Sequence, residues 1–425
     1  MRPTPHLKQI VCFPAFILLF LFYTNAQNVV NNGSGIVINQ GAWLVIGGNF
    51  INMNDGQDGF VDIDGKMVVN RDFINNASNE VFVSIEASPD GETILNGPAT
   101  QNISGVSFTR FENLTIKNSR KMLQTDFCQV AGKLTVQAIL DLNSNTFVID
   151  NPAASGITYQ SGYILSETLP AQGLGIILWS TGSSTGSYQV PFGSGNAPEN
   201  DLNLTLNITS SGNQDGYFSF ATYPTSVMNE PYPSSVGHLS PFEPSLVIDR
   251  FWLVQPTYTL HPSAIITFMY DYACAHNIKR STLKAIRFNN TSGVWNDWGP
   301  AGTSNVNQLN VVTPVINPSD FHSWWTLSSE DQAEYIYIPN AFSPNEDGLN
   351  DEFRPSINGY EPENYKMYIF NRWGNQIFES TDLMHGWNGT YKNSESPQDV
   401  YIWLIIYDDL NKQEKSKTGV VTLIR

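Results

Sequence analysis

Two stretches of this chain repeat each other at a spacing that few folds accommodate. Gly41-Ala42-Trp43-Leu44-Val45 followed by Phe50-Ile51-Asn52 returns as Gly65-Lys66-Met67-Val68-Val69 followed by Phe73-Ile74-Asn75, offset by 24 residues at the glycine and 23 at the Phe-Ile-Asn. A fainter copy, Gly132-Lys133-Leu134-Thr135-Val136, precedes apolar positions at 139–142 and 146–149. Periods of roughly 20 to 50 residues mark stacked units, each of which buries its apolar face only against its neighbours. The pieces are short, rich in β-formers, separated by Asn, Asp and Gly, and without a helical period. A short β-solenoid is therefore expected over residues 27–158, with an ordinary β-sandwich as the alternative.

Beyond residue 159 the strands lengthen. In residues 264–272 one face collects Ala264, Ile266, Phe268, Tyr270 and Tyr272 while Thr267 and Asp271 point away, the alternation of a half-buried strand. Residues 283–288 enter a turn at Asn289-Asn290-Thr291-Ser292-Gly293 and return through Val294 and Trp295, which predicts a hairpin. One or two antiparallel sandwich modules are expected over 159–331, with the proline-dense stretch 223–244 as a connection. Residues 334–425 hold a third, self-sufficient set of strands: 335–338, 367–370, 377–378, 400–407 and 419–425, joined by turns, with 408–417 as the last connection. The fold class is thus all-β throughout.

The first 26 residues have a different character. Arg2 and Lys8 precede an apolar run of only 13 residues, 10–22, that contains Pro14, and Ala26 follows as a small residue suited to cleavage. A membrane-spanning helix needs about 20 residues. The segment reads as a signal peptide, removed by signal peptidase to leave Gln27 first. Cys12 would leave with it, and Cys128 and Cys274 remain as a disulfide or two buried thiols. Charge excludes one class of partner. With 39 acidic against 22 basic residues, a net charge of −17 and no Lys/Arg-rich block to offset it locally, nucleic acid, whose counterions only basic charge displaces, is not an expected partner.

One specific signal stands in the last 92 residues. IPNAFSPNEDGLNDEF at 338–353, IFNRWGNQIFES at 369–380, GWNGTY at 386–391, DVYIW at 399–403 and GVVTLIR at 419–425 occur in this order. Together they resemble the gliding-motility-associated C-terminal domain, the type B sorting domain of the type IX secretion system of Bacteroidota. The resemblance implies a small Ig-like β-sandwich, export through the periplasm, recognition by an outer-membrane translocon, and a secreted or cell-surface destination. It also implies a motif set: Pro339, Asn340, Phe342, Pro344, Asn345, Asp347, Gly348, Asn350, Asp351, Phe370, Asn371, Arg372, Trp373, Gly374, Gly386, Trp387, Gly389, Tyr401, Gly419 and Arg425. The upstream regions, with Arg250-Phe251-Trp252 opening the sandwich, resemble the β-rich passengers joined to such domains.

The same residues have plainer readings. Asn340, Asn345, Asp347, Gly348, Asn350 and Asp351 are turn formers. Calcium held by Asn345, Asp347 and Asp351 is the alternative, but setting Gly348 at the sixth position of a calcium loop puts Ser343 first and Arg354 twelfth, where carboxylates belong. No cofactor is expected. Asp55, Asp58, Asp62 and Asp64 read as a solvated face, with a bound cation as the alternative. Arg372 either contributes to recognition or covers an aromatic surface at a hairpin tip. Trp295, Trp298, Trp324 and Trp325 are core residues or, alternatively, a platform for surface glycans. His238, His261, His276, His322 and His385 form no H-E-x-x-H pair, and no nucleophile elbow or phosphate loop is present. The passenger thus reads as a non-catalytic adhesin-like or glycan-binding protein, with a polysaccharide lyase or hydrolase using the solenoid as the alternative.

Overall fold

The computed structural model describes residues 10–12 and 27–425, except 84–89, 127, 168–172, 195–201, 241, 276–277, 298–302, 330–334, 346, 359–361, 363 and 409–413. The predicted leader lies outside the described residues apart from Ile10–Cys12. Every described element is a strand, a turn or a single turn of 3-10 helix. The chain divides into two compact units, one dominated by residues 1–327 and one built mainly on 328–425.

In the first unit the repeat becomes a three-sided parallel coil. Trp43–Ile46, Lys66–Val69, Glu92–Leu95, Asn113–Ile116, Leu134–Val136 and Ile157–Tyr159 stack in one six-stranded sheet. Val29–Asn32, Phe50–Met53, Phe73–Asn76, Gln101–Gly105, Lys121–Leu123, Leu140–Asp141 and Ile164–Leu165 stack in a seven-stranded second sheet. All three copies seen in the sequence fall at matching places: the Gly-led strands share the first sheet and the Phe-Ile-Asn strands share the second with Leu140. Phe50 pairs with Phe73 and Trp43 with Lys66 in register, the 23-residue offset of the repeat. The rungs between the copies were hidden because Glu92–Leu95 and Asn113–Ile116 keep the inward apolar positions but not the letters. What stacks is volume and polarity, not identity.

Two columns hold the coil from inside. Phe50, Phe73 and Phe111 are fully buried, with successive ring centroids 5.1 Å apart in each case. Two residues beyond Phe50 and Phe73, the asparagines turn inward and form a ladder. Asn31 Nδ2 donates to Asn52 Oδ1 at 3.0 Å, and Asn52 Nδ2 donates to Asn75 Oδ1 at 3.4 Å and to Gly59 O at 2.8 Å. A buried amide is costly unless its donors and acceptors are met, and each rung here gives a hydrogen to the next, Asn31 Oδ1 at the first rung being the acceptor left over.

The third side carries the coil into the sandwich. Thr109–Phe111, Cys128–Val130, Thr146–Ile149 and Ile176–Trp179 are parallel, and the same sheet then continues antiparallel through Tyr217–Pro224, Arg250–Thr257, Trp324–Ser328, Lys284–Asn289 and Val294–Asp297. Backbone pairing therefore runs without a break across residue 159. A second antiparallel sheet, Gly186–Val190, Leu204–Ser210, Ser263–Met269, Asn310–Val312 and Thr303–Asn305, packs on it, with Phe268 against Trp252 and Trp325 at 5.0 and 5.9 Å. The predicted hairpin is present, with Asn289 pairing Val294. One expectation is corrected: Ala264, Ile266, Phe268 and Tyr270 face the core, but Tyr272 is 51% exposed. The strand ends at Met269, and Asp271, accepting the Cys274 amide, has already turned the chain.

The second unit is centred on a five-stranded sheet in the order Ala341–Phe342, Glu414–Leu423, Val400–Asp408, Lys366–Phe370, Gln376–Ser380. Its inner face presents Met367, Ile369, Trp403, Ile405, Val421 and Leu423, and these close on Phe342, Phe353 and Trp387. The last strand is longer than predicted: residues 414–417, read as connection, already pair with the preceding strand, Lys417 opposite Ile405. Hairpin pairing draws polar residues into the ladder that no apolar alternation announces.

Candidate functional site

Within the second unit, motifs far apart in sequence meet at one end of the sheet. The hairpin tip at 371–375 is tied by its first residue: Asn371 Oδ1 accepts the amides of Trp373 and Asn375, both at 3.0 Å. That turn leaves Trp373 79% exposed and sends the Arg372 guanidinium to Asp399 at the start of the next long strand. Asp399 is held below the usual carboxylate range by the Val400 amide and then by Arg372. Its backbone carbonyl accepts the Leu423 amide at 3.0 Å, and the neighbouring Gln398 side chain donates to the carbonyl of Arg425. Arg425 in turn donates to Gly389 O at 2.9 Å and pairs with Glu395. Gly389 needs its positive φ of 76°, and a Cβ there would press on Leu423, Pro344 and Arg425.

The other motif residues support this end rather than line it. Phe342, Trp387 and Tyr401 are buried, with Trp387 centroids 5.3 Å from Phe342 and 4.7 Å from Tyr401. Gly419 allows Trp403 to cross the strand, since a Cβ would lie 2.4 Å from the indole. Gly386 sits against Glu352, whose carboxylate accepts the Gly386 amide at 3.1 Å. Asn340 O accepts the Thr422 amide at 3.0 Å, fixing the segment that carries Pro339. Gly374 takes a φ of 77° in the hairpin tip, next to the half-buried Phe370. Asp399 was absent from the candidate set although it opens the DVYIW motif, because a single acid before a strand looks like an ordinary turn residue. Only the fold puts it beside Arg372.

The Asx-rich loop consumes its own ligands. Asp351 accepts the amides of Asn345 at 3.0 Å and Gly348 at 2.8 Å through its two oxygens, while Asp347 accepts the Asn345 side chain at 2.9 Å and the Leu349 amide at 2.8 Å. Asp347 is lowered by these bonds, first by Asn345. The loop, including Asn350, lines a cleft of about 530 Å³ with Pro339, Arg354 and Met384.

In the solenoid, Asp58 is a turn acceptor for Ser78, Asn54 and Asn79, and the Ser78 amide is the main cause of its lowered pKa. Among the described residues, no group of three His, Cys, Asp or Glu side chains is placed to hold a metal. Asp62 and Asp64 instead act on Glu112. This carboxyl is 6% exposed, accepts the Gly91 amide at 3.1 Å, and is pushed up to about 7, first by burial and then by those two acids. A folded-state pKa above the unfolded one means the folded chain holds the proton longer. Stability should therefore be highest below about pH 4.5 and fall as pH rises towards 7, by at most about 3 kcal/mol. Urea midpoints at pH 5 and pH 8 should show this slope in the native chain and a flatter one in Glu112→Gln.

Three of the four tryptophans take the core reading rather than the platform alternative. Trp295, Trp324 and Trp325 are 3%, 5% and 0% exposed, and their indole N–H groups donate to His238 O, Ser235 Oγ and His322 O. Trp298 lies outside the described residues, as does His276. Cys128 and Cys274 are separate buried free thiols, both pushed up by desolvation, so the disulfide reading is dropped.

The second unit is thus a small sheet domain with an exposed aromatic hairpin tip and motif residues tied to residues 423–425. Residues 336–423 match the family model of the CHU_C type IX secretion signal domain. The search of curated proteins finds no match. The domain implies interaction with the type IX secretion machinery and a secreted or outer-surface protein.

Proposed function

We propose that this chain is a Bacteroidota passenger cleaved by signal peptidase after Ala26, carried through the periplasm, and delivered by the type IX outer-membrane translocon to the surface or medium. There it acts as a non-catalytic adhesin-like or glycan-binding protein. Residues 334–425 are the sorting module, and residues 27–158 and 159–331 the solenoid and sandwich passenger. The observation that carries this reading is the convergence of Arg372, Trp373, Asp399, Gly389 and Arg425 at one end of the matched domain. Trp373 is the contact residue: it is large, rigid and exposed, the type that dominates interfaces. Against the enzyme, the solenoid's cleft of about 520 Å³ at Gly105, Ser107, Phe108, Gln124 and Thr125 offers one carboxylate, Asp126, among its described lining, and glycoside hydrolysis uses two.

Trp373→Ala should leave the melting curve of the purified protein unchanged, because the ring is solvent-exposed. Export in a type IX host should nevertheless drop, since losing an interface tryptophan costs about 2 kcal/mol, roughly thirty-fold in affinity. Export at the native rate would remove Trp373 from the recognition surface. Incubating the passenger with plant and algal polysaccharides separates the two passenger readings: retention without new reducing or unsaturated ends supports binding, and product formation supports the enzyme.

A further inference from the structure

Two loops from adjacent rungs shape the corner between the second and third sides of the coil. One leaves Gln101–Gly105 and the other leaves Lys121–Leu123. The first is tied to the rung before it: the Ser107 amide donates to Asn75 O at 3.3 Å, the Ser107 hydroxyl donates to Ala77 O, and Phe108 O accepts Asn75 Nδ2 at 2.9 Å. The second opens with the Gln124 amide on Ile103 O at 2.8 Å. Only glycine fits at position 105, where φ is 126° and a Cβ would lie 2.0 Å from Asn75 O. The coil therefore sets the shape of both loops before any ligand arrives, which spares binding the cost of ordering them.

Between them lies the cleft of about 520 Å³, a volume within the usual range of small-molecule sites. The Phe108 ring on its wall is half-buried and touches no other described aromatic ring. Thr125 and Asp126 make no hydrogen bond or ion pair with any described residue, and Gln124 Nε2 has only the weak thioether acceptor of Met122 at 3.0 Å. Polar side chains on a loop are ordinarily just solvated. Here they share one concave surface with an aromatic ring, and a few polar groups converging beside an apolar wall are what fixes a ligand.

We propose that this cleft is the carbohydrate site of the passenger, and that it takes neutral polysaccharides rather than chains bearing uronate or sulfate. The inference rests on the glycan-binding reading given above. A sugar ring has an apolar face of C–H groups and a rim of hydroxyls that both donate and accept. The face packs on Phe108, while the hydroxyls meet the amide of Gln124, the hydroxyl of Thr125 and the acceptor-only carboxylate of Asp126. Charge sets the selectivity. Asp126 is an acid, the described lining holds no Lys, Arg or His, and the whole chain carries −17, so an anionic sugar meets repulsion at the wall and at long range. An extended peptide fits less well, because Gln101–Gly105 and Lys121–Leu123 have neighbours on both sides and leave it no backbone edge.

The probes are three neutral polymers, a β-glucan, a galactomannan and an unsulfated galactan, set against alginate and a sulfated galactan, with affinities measured on the full chain. At least one neutral polymer should bind saturably, and more tightly than either anionic one. Phe108→Ala and Asp126→Ala should each weaken that binding about tenfold, the worth of one ring contact or one hydrogen bond to a charged group. Asp126 is exposed, so its variant should keep the native melting curve. If Phe108→Ala melts early, Asp126→Ala decides alone. Native affinity in the variants would overturn the cleft and leave a glycan-binding passenger standing. Tighter binding of alginate or the sulfated galactan would overturn the charge selectivity. Binding of none of the five would overturn the glycan-binding reading itself, and the cleft with it.

Discussion

A chain ended at Asp331 should accumulate inside the envelope of a type IX host while the full chain reaches the surface or medium. The cut keeps Ser328 and Ser329, so it leaves Trp324–Ser328 whole in the sandwich sheet. What it removes has its own core: Phe342, Trp387, Tyr401 and Leu423 pack with one another and with the sheet of residues 341–423. A shorter deletion at residue 413 should have the same outcome for a different reason. It strips Val421 and Leu423 from that core and bares the edge of Val400–Asp408, which pairs with the last strand along its whole length. The reciprocal experiment joins the leader and residues 334–425 to a fluorescent protein, which should then be exported. Cell fractionation reads both. If the truncated passenger reached the medium at the full-length rate, the sorting role would fail whatever the likeness of the domain.

Arg250→Ala should cost about 3 to 5 kcal/mol of stability, the effect of removing one partner from a buried ion pair. Arg250 is 4% exposed and pairs with Glu167, whose side chain is only 9% exposed, and its second amino group lies 3.8 Å from Asp271. The alanine variant leaves two acids desolvated without their cation. Its backbone anchors the same place, since Arg250 O accepts the Thr326 hydroxyl at 2.7 Å. Urea denaturation followed by tryptophan fluorescence should show the lower midpoint, because Trp252 and Trp325 are fully buried and pair across the strand that Arg250 opens. Adding Glu167→Gln should recover part of the loss. A midpoint shift below about 1 kcal/mol for Arg250→Ala would show that water reaches the cluster and screens it.

Much of this architecture is legible from periodicity. A 23-residue recurrence of Phe-Ile-Asn becomes a stacked column because identical rungs must superpose to share a core, and Phe50 over Phe73 is the direct result. Alternation at 264–270 becomes a strand for the same kind of reason. Where the pattern misled, a local turn intervened: Tyr272 continues the alternation in letters, but Asp271 captures the Cys274 amide and ends the strand. Trp295, Trp324 and Trp325 show the limit from the other side, because an aromatic residue in a strand has the same spelling whether it faces a core or a ligand.

The sequence by itself determined the all-β class, the coil, the sorting domain and the turn chemistry of the 343–354 loop. Each of these rests on order along the chain, on spacing, local hydrogen bonding and side-chain volume. Only the tertiary structure decided what depends on residues distant in sequence: Asp399 beside Arg372, Glu112 facing Asp62 and Asp64, and the Arg250–Glu167 pair. It also decided that Asn31, Asn52 and Asn75 stack as a side-chain ladder inside the coil. Burial and charge proximity are properties of three-dimensional neighbourhoods, and no one-dimensional pattern specifies which side of a strand another element will cover.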